Sequence, residues 1–268
     1  MTDQGPNGQS AALTYTSYLA LDEVLAAQRP RSDEHDEMLF IVIHQVYELW
    51  FKQLLHELAH LQYMLEKVDT AHSVRTLRRA LTILKVVVAQ IDVLETMTPR
   101  QFTSFRARLD AASGFQSGQF RELEAVLGRR DERMLQPYAK GSEARDRITA
   151  AMSRRSIFDS FLAYLAGSGY DIPSSHLNRD LRLPWEAAQD VQRVLVQVYG
   201  DDAGPSTVAD LLVDLDEGMQ EWRYRHVKMV ERTIGSKAGT GGSAGVAYLQ
   251  RTLFQAVFPD LWAVRSEL

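Results

Sequence analysis

Phe40 and His44 stand four residues apart in a run from His35 to Leu65 that contains neither proline nor glycine. On a helix that spacing puts both rings on one face, one turn from each other. An aromatic ring beside an imidazole suits a pocket for a flat substrate. An ordinary core contact beside a satisfied histidine has the same spacing. The run also holds His56-Glu57-Leu58-Ala59-His60, the pattern of two zinc-binding histidines flanking a catalytic glutamate. His56 and His60 point away from the Leu54, Leu58, Leu61 and Leu65 stripe, as residues on a solvated face also would. No strand alternation for holding an extended peptide lies nearby, which weighs against a zinc protease.

Two further residues invite chemistry. Phe102 and Arg106 are again four apart. Arg106 could be a surface charge, but in a pocket its planar fork matches a carboxylate bidentately, as an amino-acid substrate requires. His226 falls on the apolar stripe Val208, Leu211, Leu212, Leu215, Met219, Trp222 and Met229, with Asp214 and Asp216 read as lying on its flanks. A lone histidine on such a face is more often a core residue than a ligand. Here Arg223, Arg225, Lys228 and Arg232 cluster around it, a basic collar that could meet the propionates of a haem held by a neutral imidazole. Beyond it, residues 235–245 pack five of the chain's 16 glycines, a loop whose backbone can approach a ligand closely and in which Thr240 offers a hydroxyl. The glycine spacing fits neither a dinucleotide fingerprint nor a phosphate-binding loop.

Composition narrows the classes. The 268 residues are 45% hydrophobic and 24% charged, ordinary for a globular protein with a sizeable core. A net charge of −5 leaves no electrostatic footprint for nucleic acid or an anionic membrane. No apolar run approaches the length that spans a bilayer, and the polar start is unlike a secretory signal, so a cytoplasmic location is expected. Cysteine is absent, which removes disulfides, thiolate ligands and cysteine nucleophiles, so any metal falls to histidine or carboxylate.

The elements that must position these residues read as helices throughout. Residues 1–12 read as a disordered tail, and 13–268 as one all-α domain. Leu13–Leu19 and Asp22–Leu25 form a short helical piece ending near Pro30. Its two tyrosines make either a small packing patch or an arm that reaches a site, its own subunit's or another's. The long helix from about Asp36 to Leu65 follows. Apolar residues from Val74 to Leu94 recur at three- and four-residue steps and predict a second helix, stopped at Pro99. Further helices are expected over 116–128, 144–167, 184–199, from an N-cap at Ser206 to Ile234, and over 246–257, with 168–184 a loop.

Together the residues carry a recognisable pattern. The blocks Leu13–Leu19, His35–Leu58, Glu95–Phe120 and Trp222–Gly245 contain HDEMLF–xxx–HQ, YELWFKQ, ETMT–xxx–F–xx–FR, SGFQS, WRYRH and GSKAGTGGS. In this order they resemble the tryptophan 2,3-dioxygenases; the match in 130–205 is weak. The resemblance implies an all-α bundle of long helices around a haem pocket, one haem b per subunit, and a homotetramer built as a dimer of dimers. It implies insertion of both atoms of O₂ across the indole pyrrole bond of L-tryptophan, giving N-formyl-L-kynurenine. His226 would be the iron ligand and His44 would hydrogen-bond the indole N–H. Phe40 and Phe102 would wall the indole, Arg106 would hold the carboxylate, and Thr240 would hold the ammonium and carboxylate end. Tyr15, Tyr18 and Leu19 would complete a neighbouring subunit's pocket. Ser113 and Gly114 would sit near the haem edge and O₂, with Trp222 also in the haem pocket. Ile43 stands where some relatives carry a polar residue, and the chain is short between about 168 and 210. Relatives with much of this scaffold insert one oxygen and form oxindoles, so a monooxygenase acting on tryptophan or a methylated tryptophan is the alternative.

Overall fold

A computed structural model of the chain describes residues 12–109, 114–237 and 246–268. The tail expected over 1–12 therefore lies outside the described residues except for its last position. All regular structure among the described residues is helical.

An arm comes first: α1 (Tyr15–Leu19), opened by a Thr14–Ser17 capping box, and α2 (Leu21–Leu25). Ala20 turns the chain between them at φ 49°, in the left-handed region. Next is α3 (His35–Glu66), within one residue of the expected bounds and roughly 48 Å long at about 1.5 Å per residue. Its buried apolar residues Ile43, Tyr47, Phe51, Leu54, Leu58, Leu61 and Leu65 recur at four- and three-residue steps, a seam for a neighbouring helix.

That neighbour is α4 (Thr70–Leu94), capped by Asp69, whose side chain accepts from His72 N. Its buried stripe runs through Leu77, Ala80, Leu84, Val87, Val88, Ile91 and Leu94. Pro99 occupies the first turn of α5 (Pro99–Arg106), where its missing N–H costs nothing, behind a Thr98–Gln101 capping box. Ser117 caps α6 (Gly118–Leu127).

Departures from the expected elements begin here. The helix expected over 144–167 is two, α7 (Glu143–Met152) and α8 (Ile157–Gly167). Ser156 and Asp159 form a capping box that restarts the chain, and Arg179 pins Asp159 at 2.7 Å. The expected loop 168–184 contains one turn, α9 (Ser174–Leu177). α10 (Gln189–Gly200) starts later than expected because Trp185 Nε1 and Ala188 N are held by buried Asp260, at 2.6 and 2.8 Å. α11 (Gly204–Ile234) starts earlier, with Ala203 at its N-cap and Pro205 in its first turn. Ser206 is no cap, since its hydroxyl donates to Ala203 O at 2.6 Å. The last expected helix is only α12 (Val246–Gln250), and α13 (Pro259–Ala263) follows it.

α4 lies between α3 and α11 and packs along both; α6 and α8 lean on α3. The close crossing of α4 and α11 needs Gly218, where a Cβ would meet Leu84 Cδ2 at 2.7 Å. Asp216 corrects the expectation of a flank position: it is fully buried and binds Val257 N, Phe258 N and Trp262 Nε1 at 2.7–2.9 Å. A carboxylate so satisfied fastens the C-terminal segment to α11. No helix among the described residues is long and apolar enough to cross a membrane.

Candidate functional site

α3, α5, α6 and the second half of α11 converge on one deep cavity of about 1620 Å³, its open mouth included. Phe40, His44, Phe102, Arg106, Gly114, Trp222 and His226 all line it. Residues from three separate blocks of sequence thus meet in one space. Ser113 and Thr240 lie outside the described residues. Tyr15, Tyr18 and Leu19 are exposed on the arm and do not line this cavity.

On one wall, the Phe40 and His44 rings lie 4.1 Å apart between centroids, and Phe102 is 5.7 Å from Phe40. Phe105, fully buried, meets Phe102 edge-on at 5.5 Å and holds it from behind. His44 Nδ1 is 2.7 Å from the Phe40 carbonyl oxygen. A carbonyl only accepts, so Nδ1 carries the proton and a neutral ring keeps Nε2 as an acceptor. A Cβ placed on Gly114 would stand 3.9 Å from that Nε2, so the glycine leaves the space in front of it open. Burial holds His44 below the usual imidazole range, against the opposing pull of the Phe40 carbonyl and the Glu48 charge.

On another wall, the His226 imidazole lies parallel to the Trp222 indole, 5.0 Å between centroids and 4° between planes. Trp222 is wedged against Phe120 at 4.6 Å and Phe51 at 6.2 Å, which fixes the stack. Burial, with His44 and Arg121 adding to it, pushes His226 down to about 4, so the ring is neutral near pH 7. The buried Trp222 Nε1 has no hydrogen-bond partner among the described residues.

Charge on the cavity is concentrated around Glu124. This buried carboxylate meets Arg121 at 2.6 Å, Arg129 at 2.7 Å and Arg223 at 3.3 Å. Burial alone would raise Glu124, but the three guanidiniums outweigh it and hold the carboxyl below its usual range. Arg121 and Arg223 both line the cavity, and with Arg129 they bring three guanidiniums to one buried carboxylate.

A haem fits this lining. A neutral imidazole is available as a ligand, an orphaned indole N–H awaits an acceptor, the walls are aromatic, and the cationic side suits anionic propionates. The collar expected around His226 is otherwise turned elsewhere. Arg225 bonds Asp92 at 2.5 Å, Lys228 bonds Glu231 at 2.9 Å, and Arg232 reaches Glu95 at 3.6 Å. Of the four, only Arg223 lines the cavity. Arg121 and Glu124 escaped the sequence reading. Their signal was a pair of opposite charges three apart on a helix otherwise rich in buried apolar residues.

The zinc reading fails in the structure. Glu57 is buried and tied to Arg79 and Gln53, while His56 and His60 are exposed. Among the described residues no group of three metal-binding side chains forms.

Comparison with known proteins agrees with the cavity. A family model described as tryptophan 2,3-dioxygenase matches residues 1–165 and 159–268. The tryptophan 2,3-dioxygenase of Anaeromyxobacter sp. (strain K) is 64% identical, with all of both chains covered. That of Herpetosiphon aurantiacus is 55% identical over 97% of this chain and 100% of its own. That of Caulobacter vibrioides is 42% identical over 96% and 98%.

Proposed function

The chain belongs to the tryptophan 2,3-dioxygenase family, and we infer from that membership and its cavity that it opens the indole ring of L-tryptophan with O₂, giving N-formyl-L-kynurenine. One observation carries the chemistry: two histidines line one aromatic cavity, His44 locked as an acceptor and His226 neutral and without a hydrogen-bond partner among the described residues.

His226 would hold the iron of haem b, with Arg121, Arg223 and the Trp222 N–H toward the propionate side. When bound, the haem would supply the iron chemistry that activates O₂. The rest is the work of this chain's side chains. Arg106 grips the substrate carboxylate with a charge-assisted fork, which selects amino acids over indoles that lack the group. Phe40 and Phe102 hold the indole flat. His44 Nε2 accepts the indole N–H, fixing which edge of the ring faces the oxygen. By resemblance, Thr240 takes the ammonium and carboxylate end, while Ser113 and Gly114 border the O₂ position.

The working enzyme is proposed to be a cytoplasmic homotetramer, a dimer of dimers, of chains folded as one unit over 13–268. In it Tyr15, Tyr18 and Leu19 close a neighbouring subunit's cavity. Their exposure in the single chain supports this, since an aromatic arm left in water has surface to bury. The dioxygenase names of the relatives favour insertion of two oxygens over the oxindole-forming alternative. Mass spectrometry of the product from reduced, haem-loaded protein, L-tryptophan and ¹⁸O₂ tests this. Two labelled oxygens in N-formylkynurenine are expected, and one labelled oxygen in an oxindole would replace the reading.

A further inference from the structure

The arm is exposed but its root is not loose. Glu37 is 1% exposed, and its carboxylate accepts from Arg31 N and Ser32 N, both at 2.8 Å, and from the Ser32 hydroxyl. Two turns on, Gln45 accepts from Gln28 Nε2 at 2.6 Å and donates to Ala27 O at 3.3 Å. Gln28 also donates to Val24 O at 3.1 Å, so the connection continues into the end of α2. Arg108, just past α5, reaches Arg31 O at 3.4 Å.

These bonds fasten residues 27–32 to the helix that carries Phe40 and His44. Burying a carboxylate is costly unless it is satisfied, and ordering each root residue costs backbone entropy. A plain tail needs no such tether. What the tether fixes is the exit direction of an arm whose Tyr15 and Tyr18 are 75% and 71% exposed. Fixing the root keeps the arm's effective concentration high at one place outside its own subunit.

We propose that Glu37 and Gln45 are positioning residues for substrate binding in a neighbouring copy of the chain: they clamp the root of the arm to α3 so that Tyr15, Tyr18 and Leu19 are presented to that copy's cavity. The proposal rests on the reading of the arm given above. Both residues act through the arm and neither touches substrate, so their loss is felt in KM for L-tryptophan and not in the haem.

The test uses haem-loaded full chains. Tyr15→Ala/Tyr18→Ala tests the arm itself and is expected to raise KM. Glu37→Gln and Gln45→Ala should each raise KM about tenfold with kcat within about twofold and an unchanged haem spectrum, the loss of one or two good hydrogen bonds in arm placement. Gln45 is half-buried, so its variant keeps the test open if Glu37→Gln folds poorly. The deciding step mixes Glu37→Gln subunits with an excess of Arg106→Ala subunits, separately tagged. The Arg106→Ala chains bind tryptophan only weakly but donate sound arms, so at tryptophan concentrations near the parent KM the turnover is that of the Glu37→Gln cavities, which should recover the parent KM. Failure to recover would mean that Glu37 acts on its own cavity and would overturn the proposal. So would unchanged KM in Glu37→Gln and Gln45→Ala while the tyrosine variant raises it. An unchanged KM in the tyrosine variant would instead overturn the arm reading, and the proposal with it.

Discussion

The Phe40 carbonyl oxygen lies 2.7 Å from His44 Nδ1 while the two rings pack 4.1 Å apart, so one residue sets both the proton position and the tilt of its neighbour's imidazole. His44 is useful as an acceptor only when neutral. Burial depresses its pKa, and Glu48, one turn further along α3, raises it. The acid limb of kcat/KM should therefore lie below the free imidazole value of about 6.5. Glu48→Gln removes the opposing charge and should move that limb to still lower pH. A limb that stays put or moves upward in the variant would remove His44 as the titrating group.

Arg106 should be the residue that reads the substrate's carboxylate. Arg106→Ala should retain haem and raise KM for L-tryptophan about 10–100-fold, the range for one charged hydrogen-bonded contact. Arg106→Lys should recover little, because a point charge does not replace a planar fork. Comparison with an indole lacking the carboxylate is the control. Equal loss for both substrates would show that the arginine does something else.

His226→Ala should give a folded, helical protein that no longer binds haem, read as loss of haem absorbance with unchanged far-ultraviolet circular dichroism. The imidazole packs on Trp222 and makes no hydrogen bond to the described residues, so its removal opens space without orphaning a partner. A full haem complement in this variant would place the ligand elsewhere.

Glu124 is where the cavity wall and the fold depend on the same charge. Replacing it with glutamine leaves Arg121 and Arg223, which are 6% and 9% exposed, without their shared anion. Loss of one partner from a buried ion cluster costs about 3–5 kcal/mol, a loss that denaturant titration of the haem-free protein resolves. The sign with pH follows from its lowered pKa. The parent's contribution is complete above the usual carboxylate range and is lost as pH falls through the lower folded value. The variant should lack that acid dependence; a variant as stable as the parent would show that the arginines find other partners.

The long helices were legible because their signals are local and repeated. The steps of α3 and α4 locate both within a few residues. Phe40, His44, Phe102, Arg106 and His226 were legible as candidates, and the structure brings all five to one cavity. What failed to show was long-range. Nothing near Ser156 says that Arg179 will pin its capping partner Asp159, and nothing near Glu124 says that Arg223, 99 positions on, will share it. Buried charges look like flank charges until their partners are known.

Asp216 gives the last test of that point. Read alone it interrupts an apolar stripe; in the fold its Oδ2 accepts from two backbone amides and the Trp262 indole, and Gln220 bonds Oδ1 at 2.9 Å. Asp216→Ala leaves those donors buried without an acceptor, at about 1–3 kcal/mol for each that water cannot reach. The C-terminal segment, still held to α10 by Asp260, should then loosen from α11 before the bundle unfolds, since α3, α4 and α11 hold one another without it. Hydrogen exchange should rise sharply over 257–268 while the core of α4 stays protected, and haem binding should persist because His226 lies further along α11 with its own support from Trp222. Uniform loss of protection across α4 and α11 would show instead that the segment belongs to the same cooperative unit as the cavity.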